Sequence, residues 1–291
     1  MATKNQRTSM TQWRFIALAF LAETCIIYAS VLVKTLEISP IMVGFYRVFL
    51  ALPFFLYLAR QEISSIAKKD LFLILFAGVL FGLDLAFFNF ALHHTSVANV
   101  NLFGSLVCFV LVPIGIFFFH EKVNPRFFIG ALVAIIGIGF LLSGGQDSQT
   151  ASIFGDFLAV MSMVCYACFL AVIHGLRKTY SASLLMFFAS IGSSCTLLII
   201  ALLGGQVQIP RSYSDISTIL LVVLLGQVVG QGFFSYIMGK IQTQVASLIL
   251  LLSPIIAGIL GFVCLGEKLG MLEIFGIGVI LLGVYLAKDK D

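Results

Sequence analysis

Three ionisable side chains lie well inside hydrophobic segments of the chain: Glu23, Arg47 and Asp84. A charge in hydrocarbon is costly, so such residues are functional candidates by default. An arginine can bind a carboxylate through two parallel hydrogen bonds, whereas an acid can bind an amine or carry a proton. One arginine with two acids therefore favours a zwitterionic or cationic small molecule over a phosphate ester, which would require several central basic residues.

The depth of these residues suggests how they are paired. At about 1.5 Å per residue, Glu23 lies near the bilayer midplane, and Arg47 and Asp84 reach a similar depth. Arg47 and Asp84 are close enough in depth to form a structural ion pair; the alternative is that Arg47 receives a substrate carboxylate while Asp84 or Glu23 receives an amine or a proton. Glu23 has no evident partner, which allows proton coupling; the alternative is a protonated acid bonded to a backbone carbonyl.

Uncharged polar residues extend this set at helical spacing: Gln227, Gln231 and Ser235 in one segment, and Asn101, Ser105 and Cys108 in another. An amide that faces lipid would be unsatisfied, so both stripes are expected to face protein or a watery cavity. Phenylalanines flank Asp84 at Phe81, Phe87 and Phe88. They could form an aromatic wall for an apolar part of a substrate, although simple packing is the favoured interpretation.

The composition identifies the elements that must position these residues. Hydrophobic residues make up 60% of 291 positions and charged residues 10%, against about 25% charged in soluble domains. The apolar runs are long and apolar on all faces, which favours helices over barrel strands. The sequence predicts an all-α integral membrane protein with ten transmembrane helices, near 13–33, 40–59, 71–91, 96–119, 126–143, 155–175, 182–203, 216–238, 244–265 and 270–287.

The lysines and arginines predict the orientation of the chain. Most of them fall in connections on the same side as the N-terminus, and the opposite side holds Lys34, Arg211 and Lys268. By the positive-inside rule both termini face the cytoplasm, with 1–12 and 288–291 as cytoplasmic tails and 144–154 as an outer connecting loop. The net charge of +4 reflects this bias, so no nucleic-acid partner is expected.

The two halves of the chain repeat each other. "HEKVNPRFFIGALVAIIG" (120–137) matches "GEKLGMLEIFGIGVILLG" (266–283), and "TSVA" (95–98) matches "TQVA" (243–246). The GxxxG pair Gly78 and Gly82 matches Gly226 and Gly230. The halves are predicted as 13–143 and 155–287, with five helices each. Because five is odd, the second half inserts inverted, and inverted repeats are typical of secondary transporters that work by alternating access.

These segments, together with "FYRVFLALP" (45–53) and "FALHHTSVANVNL" (90–102), resemble the EamA type of the drug/metabolite transporter superfamily. The resemblance covers nearly the whole chain after residue 12. It implies a ten-helix inner-membrane permease, often an exporter of amino acids, related metabolites or toxic small molecules. One departure is Cys108, where the second half has Pro254.

Other motifs indicate no cofactor, metal or enzymatic chemistry. Phosphate-binding, zinc-protease and acyl-transfer signatures are missing from the sequence. Glu121 and Glu267 are expected to begin the last helix of each half, where a carboxylate complements the helix dipole. We therefore predict a transporter for a small zwitterionic or amphipathic metabolite or drug.

Export is favoured for this transporter, and proton coupling is a further possibility. The same fold could instead serve uptake or exchange, and an intramembrane lipid-handling protein is the alternative of another class. Ten helices in two complementary halves can enclose a pathway in a monomer, and a homodimer is the alternative. The expected partners are the small-molecule substrate, protons and the lipid bilayer.

Overall fold

The structure, a computed structural model, describes residues 2–33, 36–94, 100, 103–143, 152–265 and 270–287. These residues form helices joined by short connections, and the described part of the chain contains no β-strand. The helices are α1 (Ala2–Val33), α2 (Pro40–Phe49), α3 (Leu52–Ala59), α4 (Lys68–His94), α5 (Cys108–Phe119), α6 (Pro125–Ser143), α7 (Ile153–Leu176), α8 (Ala182–Leu203), α9 (Tyr213–Leu221), a π-helix (Val222–Gln231), α10 (Gly232–Met238), α11 (Thr243–Leu250), α12 (Ser253–Leu265) and α13 (Met271–Ala287).

The length and hydrophobicity of the helices make this a multi-pass membrane protein. Seven segments of the described chain are long and apolar enough to cross a bilayer: Arg14–Val33, Pro40–Ala59, Lys68–Ala91, Ile153–Leu176, Ala182–Leu203, Tyr213–Met238 and Thr243–Leu260. Three shorter apolar helices accompany them, at Phe103–Phe119, Pro125–Phe140 and Ile274–Ala287. The predicted all-helical membrane architecture is confirmed.

The outer surface of the helices suits a hydrocarbon solvent. Large apolar side chains point outward, and Phe117 and Phe118 are 75% and 76% exposed. In water such a surface would be an aggregation hazard, whereas in a bilayer it contacts lipid tails. The polar side chains that are buried, among them Glu23, Arg47 and Asp84, lie in the interior instead.

Several of the spans are interrupted. The second span is divided at residues 50–51, just before Pro53, and the ninth predicted span is divided at 251–252, just before Pro254. Proline fits the first turn of a helix, where its missing N–H leaves no bond unmade. Each break therefore starts a new helix and frees polar backbone groups inside the bundle.

The loops separate two faces of the bundle. One face, called the basic face below, carries the connections 60–67, 120–124, 177–181 and 239–242. The other, called the opposite face, carries the connections around Ser39 and 204–212. There the hydroxyl of Ser39 donates to Oε1 of Gln206 at 3.0 Å, and its N–H donates to Oε1 of Gln208 at 2.7 Å. Neutral hydrogen bonds thus join the first and second halves at this face.

Close glycine contacts fix the main helix crossings. On α4, a Cβ at Gly78 would lie 2.3 Å from the carbonyl oxygen of Ala189 on α8. In the π-helix, a Cβ at Gly226 would lie 2.8 Å from Cβ of Ala29 on α1. Small residues let backbones approach this closely. Both GxxxG pairs therefore lie at tight helix crossings.

A separate glycine crossing joins α6 to α13. A Cβ at Gly130 would lie 2.4 Å from the carbonyl oxygen of Gly283, and one at Gly137 would lie 2.9 Å from that of Gly276. This pair belongs to a small hydrophobic cluster with parts of α5 and α12, separate from the larger core, to which α1–α4, α7–α10 and parts of α5 and α11 contribute. Glu23, Arg47 and Asp84 lie on helices of the larger core, whereas the buried Gln244 donates to the carbonyl oxygen of Ala287 at the end of α13.

Candidate functional site

Arg47 on α2 binds across the bundle to the π-helix. Its Nε donates to Oε1 of Gln227 at 3.2 Å, and its Nη2 donates to the carbonyl oxygen of Gly226 at 3.1 Å. A Cβ at Gly226 would lie 3.3 Å from Nε of Arg47, so glycine at this position gives the guanidinium access to the backbone. Arg47 is buried, yet two neutral groups satisfy part of its hydrogen-bonding capacity.

The π-helix at Val222–Gln231 contributes both partners of Arg47. A π-helix bonds each N–H five residues back, and such segments occur frequently at functional sites. Its ten residues, VVLLGQVVGQ, contain no proline, and the matching glycines of the first half, Gly78 and Gly82, lie in an ordinary α-helix. The π-helix was not predicted because hydrophobic periodicity does not separate a π-helix from an α-helix over so short a run.

Asp84 on α4 is bonded to a serine and not to Arg47. Its Oδ1 accepts a hydrogen bond from the hydroxyl of Ser162, on α7, at 2.5 Å. Within the described residues Arg47 has no carboxylate within 4.0 Å, so of the two alternatives the direct ion pair between Arg47 and Asp84 is not formed. Arg47 still interacts electrostatically with Asp84 and Glu23 over a longer range. Its donors reach neutral groups of the π-helix instead.

Glu23 on α1 also has a serine partner. Its Oε1 accepts a hydrogen bond from the hydroxyl of Ser253 at 2.5 Å, and its buried Oε2 has no partner. Ser253 begins α12 directly after the break at 251–252. The backbone carbonyl considered as a partner for Glu23 is therefore replaced by a hydroxyl. Neither Ser253 nor Ser162 stood out in the sequence, because isolated serines are common in membrane helices.

The glutamine stripe faces the protein interior, as predicted. Gln227, Gln231 and Ser235 are each at most 1% exposed. The hydroxyl of Tyr166 on α7 donates to Oε1 of Gln231 at 3.4 Å, while Nε2 of Gln227 and of Gln231 has no partner. Buried amide donors without partners are rare in native proteins. They mark a place where a bound molecule or water can supply an acceptor.

The second predicted polar stripe is only partly described. Ser105 and Cys108 are buried, and Sγ of Cys108 lies 3.8 Å from the carbonyl oxygen of Ser105. The third member, Asn101, lies outside the described residues. The inward position of the described part of this stripe is confirmed.

Two neighbouring cavities lie on the side of the opposite face. The first has a volume of about 270 Å³ and is lined by Ser39, Pro40, Ile41, Asn89, Phe90, Gln206 and Gln208. The second has a volume of about 30 Å³, shares Pro40 and Asn89 with the first, and is lined by Arg47 and Phe88 among others. This second cavity has room for a water molecule or two. Phe88 therefore lines the cavity, whereas Phe81 stacks on Phe169 with ring centroids 4.6 Å apart.

The basic face is closed by a polar cluster around Glu121. Oε1 of Glu121 lies 2.9 Å from Nε2 of His174, and Oε2 accepts from the N–H of Thr243 at 3.0 Å and from its hydroxyl at 2.5 Å. Burial raises the pKa of Glu121, but the hydrogen bonds from His174 and Thr243 outweigh burial, and the pKa lies below its ordinary value.

The position of Glu121 corrects a prediction. Glu121 does not begin the last helix of its half, because α6 starts at Pro125. Its carboxylate instead accepts a hydrogen bond from the N–H of Thr243 at the start of α11. The negative charge of Glu121 therefore complements the dipole of α11 and not that of α6. The corresponding residue of the second half, Glu267, lies outside the described residues.

The described residues contain no group of three His, Cys, Asp or Glu side chains able to hold a metal ion. What they do contain is a bundle of membrane helices with buried polar groups beside a cavity that opens at one face. That combination defines a membrane transporter. The chain belongs to the EamA-like transporter family, which it matches over residues 13–143 and again over residues 153–288. It is a transporter and not an enzyme.

Curated relatives share the sequence at low identity. A probable amino-acid metabolite efflux pump of Salmonella typhimurium is 26% identical over 247 residues, covering 80% of this chain and 82% of the relative. The threonine/homoserine exporter RhtA of Escherichia coli K12 is 24% identical over 209 residues, covering 69% of this chain and 67% of the relative. One crystal structure superposes with a TM-score of 0.75 at 15% identity, with 94% of each chain covered.

Proposed function

We propose that this chain exports a small zwitterionic metabolite, such as an amino acid, across the inner membrane by alternating access, with both termini in the cytoplasm. One observation carries the proposal. Each buried charge of the first half is hydrogen-bonded to a neutral group of the second half: Glu23 to Ser253, Arg47 to Gln227 and Asp84 to Ser162. Movement between the halves must therefore break these bonds, and a cargo can replace the lost partners.

The proposed transporter has ten membrane helices in two inverted repeats. The three shorter apolar helices add to the seven long segments, and the same family matches each half of the chain. The α6–α13 crossing adds support: the repeat aligns Gly130 with Gly276 and Gly137 with Gly283. When each glycine is exchanged for its counterpart in the other repeat, the contact of Gly130 with Gly283 becomes a contact of Gly276 with Gly137, which is also observed. A two-fold axis that relates the repeats would produce this pair of contacts.

The chemistry of the cavity supports a zwitterionic cargo. Arg47 lines the smaller of the two cavities and can receive a carboxylate, the planar anion that a guanidinium binds best. Asp84 and the unpartnered Oε2 of Glu23 can receive an ammonium group. The remaining walls are mostly apolar, with Leu85 and Phe88 among them. They favour a small uncharged side chain on the cargo.

The balance of charge supports proton coupling of export. With Glu23, Arg47 and Asp84 all ionised, the buried group carries one net negative charge. A bound zwitterion adds no net charge, whereas a proton on Glu23 or Asp84 removes the carboxylate charge that the cargo ammonium would contact, so proton and ammonium compete for that carboxylate. A proton entering from the opposite face would then displace cargo there and return to the cytoplasm. Export by proton antiport follows from this competition.

Two other functions remain as alternatives with different experimental outcomes. The cavity at the opposite face also suits uptake or exchange, since the same fold can run in either direction. Lipid handling is the alternative of another class. A lipid substrate would require a lateral opening between helices toward the bilayer, whereas the cavity described here opens at the opposite face.

Purified protein in liposomes tests the proposal. Liposomes preloaded with unlabelled neutral amino acids are expected to accumulate the labelled compound by counterflow. Replacement of Arg47 by Gln should abolish this exchange, while the exposed Arg60→Gln on the basic face should retain it. Absence of counterflow for every zwitterion tested, together with movement or alteration of a labelled lipid, would overturn the proposal. An imposed pH gradient, alkaline inside or acid inside, then distinguishes export by antiport from uptake.

A further inference from the structure

Two side-chain amides of the π-helix are buried with nothing to receive their N–H groups. Gln227 and Gln231 are 0% and 1% exposed, and within the described residues Nε2 of each has no hydrogen-bond partner. An amide nitrogen carries two N–H donors, and a buried donor that makes no hydrogen bond costs free energy. A ligand that brings an acceptor to these nitrogens recovers that free energy and is bound more tightly for it.

The orientation of the Gln227 amide is set by Arg47. A guanidinium can donate hydrogen bonds but cannot accept them, so the atom of Gln227 that lies 3.2 Å from Nε of Arg47 is the carbonyl oxygen. If the amide were turned over, its nitrogen would set one donor against another. Arg47 therefore keeps Gln227 in the orientation in which its N–H groups remain available.

Gln231 lies four residues further along, and residues at this spacing are neighbours on a helix surface. Its Oε1 accepts from the hydroxyl of Tyr166 on α7 at 3.4 Å. Tyr166 in turn interacts electrostatically with all three buried charges. The two amides thus lie between α2 of the first half and α7 of the second, close to the groups that were assigned to the cargo.

The functional group that suits these donors is a carboxylate. It has about four lone-pair sites and no donor, so Arg47 and the two amides can all donate to it. A carboxamide has one acceptor oxygen, and its own N–H groups would face the N–H groups of the protein. An amine that lacks the carboxylate offers no acceptor at all. The donors therefore favour a free carboxylate over both analogues.

We propose that Gln227 and Gln231 bind the carboxylate of the cargo together with Arg47, in what is called the carboxylate site below, and that Gln231 determines specificity for a free carboxylate. Both amides are enclosed in this structure, so the cargo reaches them when movement of the halves parts α2 from the π-helix. The inference rests on the proposed function and narrows its substrate class: amino acids are accepted, whereas their carboxamides and the corresponding amines are rejected.

Gln231 is the residue to change, because its partner is Tyr166 and not Arg47. Gln231→Glu keeps the size and the acceptor for Tyr166, but it replaces the free donor by an acceptor that repels a carboxylate. Gln231→Met removes the donor without adding an acceptor. The matched control is Gln244, which is 3% exposed and whose Nε2 already donates to the carbonyl oxygen of Ala287 at 3.3 Å.

The experiment measures binding separately from transport. The melting temperature of the purified full chain is recorded in detergent against increasing concentrations of L-alanine, L-threonine and L-leucine, and of the carboxamide of each, which gives apparent Kd values. In the parent, the amino acid that binds most tightly should bind at least about tenfold more tightly than its carboxamide, the loss expected for one charge-assisted hydrogen bond.

The ratio of the two Kd values is the quantity that the variants should change. Gln231→Met should bring it to about one, Gln231→Glu should reverse it in favour of the carboxamide, and Gln244→Met should keep the parental ratio. Because the ratio compares two ligands on one protein, a role of Gln231 in stability alone would lower the melting temperature and leave the ratio unchanged.

Counterflow of the same compounds separates the two proposals. A parental ratio in both Gln231 variants overturns the carboxylate site, and so does equal binding of amino acid and carboxamide by the parent. If carboxamides undergo counterflow as well as amino acids do, transport stands and the carboxylate site is wrong. If binding is selective as expected but none of these compounds undergoes counterflow, the carboxylate site stands and the proposed function is wrong.

Discussion

The guanidinium of Arg47 binds Gln227 across the bundle, with Nε 3.2 Å from Oε1, and leaves Asp84 to the hydroxyl of Ser162. A cation and an acid that share one membrane interior are thus kept apart by neutral partners. Had they paired directly, a cargo would have to break an ion pair in a medium of low dielectric constant. Neutral partners hold both charges at lower cost and leave them available to a zwitterion.

Replacement of Arg47 by Lys should weaken cargo binding sharply. Lysine keeps the positive charge but loses the planar fork that binds a carboxylate and Gln227 at the same time. We expect the concentration for half-maximal counterflow to rise about 10- to 100-fold, the equivalent of one charged hydrogen bond. Labelled counterflow over a range of concentrations measures this. Equal half-maximal concentrations for Arg47→Lys and the parent would contradict a role of Arg47 in binding.

Replacement of Glu23 by Gln should separate exchange from its driving force. The amide can still hydrogen-bond to Ser253, so the α1–α12 contact is retained, but it carries no titratable proton. We expect counterflow to continue while accumulation driven by a pH gradient is lost. The measurement compares both assays in the same liposomes, with Cys25→Ser on the same helix as control. Gradient dependence that survives in Glu23→Gln would exclude Glu23 as the coupling group.

Alanine substitutions of two nearby glycines on α6, Gly137 and Gly139, should change the stability of the protein in opposite directions. At Gly137 a Cβ would lie 2.6 Å from the backbone nitrogen of Ile280, and overpacking of this kind costs about 1–3 kcal/mol. At Gly139 a Cβ meets no atom within 4 Å, so Ala there gains up to about 1 kcal/mol of helix propensity. Thermal unfolding in detergent should therefore place Gly137→Ala below the parent and Gly139→Ala at or above it. The reverse order would be incompatible with the α6–α13 crossing.

Acid should weaken the basic face through Glu121. Because its pKa in the folded protein lies below the ordinary value of 4.5, ionised Glu121 stabilises the closed cluster at pH values above 4.5. This contribution is lost as the pH falls through the lowered pKa. The melting temperature of the parent should thus fall more steeply below pH 4.5 than that of Glu121→Gln, which has no carboxylate to protonate. If the melting temperatures of the parent and of Glu121→Gln fell equally steeply below pH 4.5, Glu121 would not be ionised in the cluster.

The sequence was sufficient to locate the candidate site, because ionisable residues in hydrocarbon are conspicuous. Glu23, Arg47 and Asp84 are all buried, and the glutamine stripe faces inward, since helical spacing and desolvation cost determine those features. The hydrogen-bond partners of these residues could not be predicted in the same way. Which partner satisfies Asp84 depends on the azimuth of α4 relative to α7, which helical periodicity leaves open, and a lone serine such as Ser162 carries no distinctive pattern.

Neither the π-helix nor the contacts of Glu121 could be predicted from a local stretch of sequence. The hydrogen bonds of a π-helix span one residue more than those of an α-helix, and the resulting change of period is too small for a hydrophobic pattern over ten residues to show. The contact of Glu121 with Thr243 joins residues 122 positions apart in the chain. Such a contact depends on how helices of both halves assemble, whereas a local motif can predict only the helix that follows it.

The glycine crossing of α6 with α13 has a consequence for biogenesis. Gly130 is synthesised well before its contact Gly283, which lies in α13. Until α13 leaves the ribosome, the glycine face of α6 lacks the helix that packs on it. Assembly of this pair is therefore a late event of insertion, and a nascent chain stalled before Met271 would expose an unpartnered glycine face to membrane quality control.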